Sequence, residues 1–83
     1  MNNKYKILLV EDESNIRSLV TATLDANGYQ TIIAANCGDA RMMFDSYCPD
    51  LVILDLGLPD GDGVQIIEYI RNDSLTPIIV LSA

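Results

Sequence analysis

A chain of 83 residues is long enough for one domain and no more, and 49% hydrophobic with 20% charged side chains places it among globular rather than disordered sequences. Its formal charge of −7 argues against this segment gripping nucleic acid or an anionic membrane, since both require clustered Lys and Arg. A chain this short buries only about 60 to 65% of its unfolded surface, so a modest core and marginal stability are expected. No apolar run approaches the ~20 residues of a membrane span. The run Ile7-Leu8-Leu9-Val10 after Lys4 and Lys6 is too short for a signal peptide. Cys37 and Cys48 lie in or beside one expected helix, about 16 Å apart along its axis, too far for a disulfide. Reduced thiols and a cytoplasmic location are expected.

Residues 5–10 read as a strand, after which Ile16, Leu19, Val20 and Leu24 recur at helical spacing until Gly28 supplies a left-handed stop. Residues 30–34 form a second, more polar strand. Asn36 is a good N-cap for a helix with the stripe Ala40, Met43, Phe44 and Tyr47, and Pro49 prevents that helix from continuing. Residues 51–54 form a third, wholly apolar strand. Asp62 is expected to cap a helix that turns Val64, Ile67 and Ile70 inward, and Pro77 opens a fourth strand over residues 78–81. Met42, Ile66 and Tyr69 read as ordinary packing or scattered surface. Four strands alternating with three helices predict an α/β doubly wound, flavodoxin-like parallel sheet of order 2-1-3-4. Its switch point lies between strands one and three.

At that point the chain places charge. Strand one ends in Glu11-Asp12-Glu13 and strand three in Asp55, and carboxylates brought together at one sheet edge disfavour each other's ionised form unless a cation sits among them. The pattern predicts a metal site and, through the metal, a phosphate. Glu13 reads as a first-turn partner of the helix dipole, and Asp60 as a turn residue. Read as a calcium loop, the segment around Gly63 places Leu58 and Tyr69 where carboxylates are required, and the spacing of Gly57, Gly61 and Gly63 is not that of a dinucleotide loop. Both readings fail.

The acidic pair, the Asp ending strand three followed by Leu58-Pro59 and Gly63, and the Ser82-Ala83 closing strand four resemble the receiver domain of two-component response regulators. The loop from Asp55 to Gly63 is similar to receivers of the OmpR/PhoB class, and within it to the KdpE potassium regulators. The resemblance implies that residues 1–83 are the first two-thirds of a receiver, lacking the usual fourth helix, fifth strand with its lysine, and fifth helix. It implies Asp55 as phospho-acceptor from a sensor histidine kinase and Ser82 as the switch hydroxyl. It further implies Mg²⁺ held by Asp12 directly, Glu11 through water, Asp55 and the Gly57 carbonyl. In the family, DNA contact belongs to a separate effector domain. The receiver is a switch rather than an enzyme.

Two other readings stand beside it. A haloacid dehalogenase-type phosphatase also uses an Asp at a parallel strand end, but its nucleophile follows the first strand as Asp-x-Asp-x-Thr, where this chain has Glu11-Asp12-Glu13-Ser14. Without the fourth helix, fifth strand and fifth helix, the segment could also serve only as a dimerising or folding module with a dead site, and strand four is apolar, uncharged and unprotected as an edge. Self-association through that edge is expected.

Overall fold

The computed structural model describes residues 5–72 and 74–81. Strand β1 (Lys6–Val10) is followed by helix α1 (Ser14–Ala26), strand β2 (Gln30–Ala34), helix α2 (Cys37–Tyr47) and strand β3 (Leu51–Asp55). A short antiparallel pair, β4 (Gly57–Leu58) and β5 (Gly61–Asp62), leads into α3 (Val64–Arg71) and β6 (Ile78–Leu81). The main sheet is parallel with order β2-β1-β3-β6, the expected 2-1-3-4 with β6 as its fourth strand. Ser82, assigned above as a switch hydroxyl, lies outside the described residues.

Pairing of Leu8 with Ile32 and Val52, and of Val10 with Ala34 and Leu54, puts these side chains on one sheet face. There they join Cys37 and Ala40 of α2 and Ile66 and Ile70 of α3 in the buried cluster, with Met43, Phe44 and Ile67 packed against it. Uniformly apolar central strands are what a sheet covered on both faces demands. The opposite face, carrying Ile7, Leu9, Ile33, Ile53 and Ile79 by alternation, is covered less completely: α1 has no buried residue, Leu19 is 69% exposed and Ile79 is 50% exposed. The expected inward stripe of α1 is therefore only half realised.

The helix ends follow local chemistry. Gly28 takes the left-handed φ of 82° after α1, and Asn36 caps α2 by accepting from the Asp39 amide at 2.8 Å. Cys48, at φ 47°, ends α2 immediately before Pro49. In α3 the inward residues are Ile66, Ile67 and Ile70, while Val64 is 44% exposed, so Ile66 replaces Val64 in the expected stripe. The tight pair β4–β5 was not foreseen. It folds Leu58 into the core cluster and carries the loop after Asp55 across the sheet end.

Candidate metal centre at the strand ends

The Glu11 amide donates to the Ala34 carbonyl at 3.0 Å, continuing the β1–β2 ladder one residue beyond the strand. Its side chain is consequently held inside, only 3% exposed, and Oε2 accepts from the Glu13 amide at 3.1 Å. Asp12 follows, exposed, and Asp55 ends β3 half-buried beside them. One carboxylate oxygen from each of Glu11, Asp12 and Asp55 lies within 4.8 Å of the others. Burial is the main cause that pushes the Glu11 carboxyl above the usual range; the Glu13 amide works against it, and the neighbouring Asp55 and Asp12 carboxylates reinforce it.

The turn after β3 is fixed by close packing. Asp55 Oδ1 accepts from the Gly57 amide at 3.1 Å, and the Gly63 amide donates to the Leu56 carbonyl at 2.9 Å. A Cβ on Gly63 would lie 2.7 Å from Leu56 Cα and 2.8 Å from the Asp55 carbonyl oxygen, so only glycine lets the start of α3 lie against the acceptor turn. Asp62 Oδ1 accepts from the Val64 amide at 2.9 Å, close to its expected capping role, although Gly63 occupies the N-cap position. Glu13 is the N-cap of α1, accepting from the Asn15 amide at 2.9 Å, rather than a residue of its first turn.

Two contributors were missed in the sequence. Asp60 is no mere turn residue: its carboxylate accepts from the Cys37 amide at 2.7 Å and the Gly38 amide at 3.1 Å, docking the loop onto the start of α2. Those amides, Cys37 first, hold its carboxyl below the ordinary range. Arg17, one turn into α1, donates from Nη1 to the Glu11 carbonyl at 3.1 Å and the Asp12 carbonyl at 2.9 Å. Both are tertiary or turn-spanning contacts without a short motif to announce them.

The donor set of the cluster is oxygen alone, carrying three carboxylates on a partly solvated sheet edge, which suits a hard divalent cation that keeps several waters. Glu11, whose ionised form is disfavoured first by burial and then by the Asp55 and Asp12 carboxylates, is the group such a cation would relieve. Fold and site together define a flavodoxin-like α/β domain with an acidic, metal-suited centre at its switch point.

Comparison with known proteins gives the family. Residues 7–83 match the response regulator receiver domain, and the chain belongs to that family. Among curated relatives, the probable transcriptional regulator ycf27 of Pyropia yezoensis is 40% identical over 99% of the chain, and the KDP operon transcriptional regulatory protein KdpE of Escherichia coli is 43% identical over 93%. The chain spans about a third of their length, 34% in each case. A solved structure of the response regulator TrrA from Thermotoga maritima matches with a TM-score of 0.88 at 39% identity, over 95% of this chain and 70% of that one. The relatives are transcriptional regulators of the OmpR/PhoB type, as the loop after Asp55 led one to expect. Among the described residues, no helix is long and apolar enough to cross a membrane.

Proposed function

We propose that this segment is a partial receiver domain that works in the cytoplasm and accepts a phosphoryl group on Asp55 from a sensor histidine kinase. The observation that carries the reading is the convergence of Glu11, Asp12 and Asp55 at the switch point of the sheet. An Asp55 carboxylate oxygen attacks the phosphorus of a phosphohistidine in line. The new O–P bond forms as the P–N bond breaks, the electron pair leaves with the imidazole nitrogen, and an acyl phosphate results.

Asp12, Asp55, the Gly57 carbonyl and, through water, Glu11 would hold Mg²⁺, which neutralises charge on the phosphoryl oxygens. The structure of TrrA, a relative by fold and sequence, is described as a complex with Mg²⁺ and BeF, which supports that assignment here. The Asp55–Gly57 turn and Gly63 orient the acceptor, and Ser82 would bond a phosphoryl oxygen in the switched state. The free Cys37 and Cys48 thiols suit a reducing compartment. Output on DNA would be exerted by an effector domain in a longer protein, and the β6 edge would serve self-association. The KdpE-like assignment rests on the loop from Asp55 to Gly63.

The test is incubation with acetyl phosphate and Mg²⁺, followed by intact mass measurement. The expected result is a slow phosphate adduct that is absent in Asp55→Asn. An adduct of equal yield in Asp55→Asn would move the acceptor elsewhere.

A further inference from the structure

We infer that Arg17 is a positioning residue that pins the turn between β1 and α1 so that the Glu11 and Asp12 carboxylates converge on Asp55; this rests on the metal-site reading above. The connection from Val10 to Ser14 has three residues, two of which supply carboxylates to the cluster. Their amides and side chains are partly accounted for: the Glu11 amide reaches Ala34, and the Glu11 carboxylate takes the Glu13 amide. Their carbonyls precede the first intrahelical acceptor, which is Glu13, bonded by the Arg17 amide at 3.0 Å. A single guanidinium nitrogen closes both, at 3.1 and 2.9 Å.

Tying two successive carbonyls to one nitrogen restricts the peptide planes on either side of Asp12, and so the direction in which its exposed carboxylate leaves the chain. The cation sits at the backbone, and the carboxylate oxygens keep their acceptor capacity for a metal. Charge and geometry make opposite demands, which separates them by sign. By charge alone, a guanidinium beside a divalent cation opposes binding, and its removal would tighten Mg²⁺. If Arg17 acts by placement, its removal loosens Mg²⁺, as losing a residue that orients metal ligands ordinarily does by about 10- to 100-fold.

The experiment is an NMR chemical-shift titration of the chain with MgCl₂, comparing the parent with Arg17→Met, Arg17→Lys, Ser18→Ala and Asp12→Ala. Expected are about tenfold weaker binding in Arg17→Met, a smaller weakening in Arg17→Lys, whose ammonium can still donate to one of the two carbonyls but lacks the guanidinium fork, and parent affinity in Ser18→Ala. A folded Arg17→Met that binds Mg²⁺ as tightly as the parent, or more tightly, overturns the inference. Should Arg17→Met not fold, Arg17→Lys decides, and parent affinity there overturns it equally. Asp12→Ala binding like the parent would instead remove the metal site, whereas weak binding in Asp12→Ala with parent affinity in Arg17→Met removes Arg17's role alone.

Discussion

Asp60 reaches back 23 residues to take the Cys37 amide at 2.7 Å, and with the Gly38 amide it satisfies donors at the start of α2 that Asn36 leaves free. Asn36 serves the Asp39 amide and, through its carbonyl, Ala40, so the first turn of α2 is fully accounted for. The loop that follows the acceptor is thereby fastened to the second helix.

Asp60→Ala is expected to lower Tm at neutral pH and to loosen the β4–β5 pair. The Asp60 carboxyl is held below its ordinary range in the folded protein, so its stabilising effect is present above the unfolded carboxylate pKa and is lost as pH falls through the lower folded value. Melting curves of parent and variant should differ at pH 7 and converge in strong acid. A constant difference across that range would show that the carboxylate charge is not the cause.

Glu11 has the opposite sign. Its folded pKa is raised, first by burial, so the ionised form opposes folding above that pKa and the opposition fades as the group takes up a proton. Glu11→Gln keeps an oxygen for the Glu13 amide and is expected to raise Tm at pH 7 without metal. The gain should shrink on acidification and on addition of Mg²⁺ to the parent. Thermal melts at pH 5 and 7, with and without Mg²⁺, check it; equal Tm values for parent and variant under all four conditions would mean that neither burial nor the neighbouring carboxylates disfavour the ionised Glu11.

Gly63→Ala is expected to destabilise the fold by about 1 to 3 kcal/mol, the usual range for forcing a methyl into a packed site. Its Cβ would meet the Leu56 Cα and the Asp55 carbonyl oxygen, both backbone atoms unable to rotate away. Because relief must come from moving the acceptor turn, acetyl phosphate labelling of Asp55 should slow in a variant that remains folded. Urea unfolding and the adduct rate read the two effects separately.

The sheet order was legible because its central strands are unbroken apolar runs, Ile7 to Val10 and Leu51 to Leu54, and because Gly28, Asn36 and Pro49 punctuate the helices. The meeting of Glu11, Asp12 and Asp55 was legible for the same reason: the end of an apolar run locates the sheet edge. What the sequence hid was contact across the chain. Asp60 looks like any Asp in a turn until β4–β5 brings it to Cys37, and Arg17 looks like a solvated helix residue until the turn folds back beneath it. The α3 stripe failed for a narrower reason. Residues 64, 67 and 70 and residues 66, 67 and 70 both suit helical periodicity, and an eight-residue helix offers no further turn to choose between them. The choice has an energetic signature: Ile66→Ala, at a site 1% exposed, should cost about 2 to 5 kcal/mol. Val64→Ala should be close to neutral.

Among the described residues β6 pairs with β3 on one side only, and Ile79 and Val80 are 50% and 41% exposed. An uncovered apolar edge with free backbone groups is a template for another strand. Among the described residues no lysine stands along it, since Lys6 Nζ donates to the Tyr47 carbonyl at 2.6 Å. Burying about 300 Å² of apolar surface would contribute roughly 7 kcal/mol gross at ~25 cal/mol per Å². Lost translational and rotational freedom opposes this by about 4 to 15 kcal/mol, so a weak, concentration-dependent association is expected rather than an obligate dimer. Ile79→Lys places charge on that edge and should shift the chain toward monomer without unfolding it, because Ile79 faces away from the main cluster. Light scattering from micromolar to millimolar concentration, with amide exchange at residues 78–81, reads both effects. A monomer throughout, with those amides already protected, would rule the edge out as an interface.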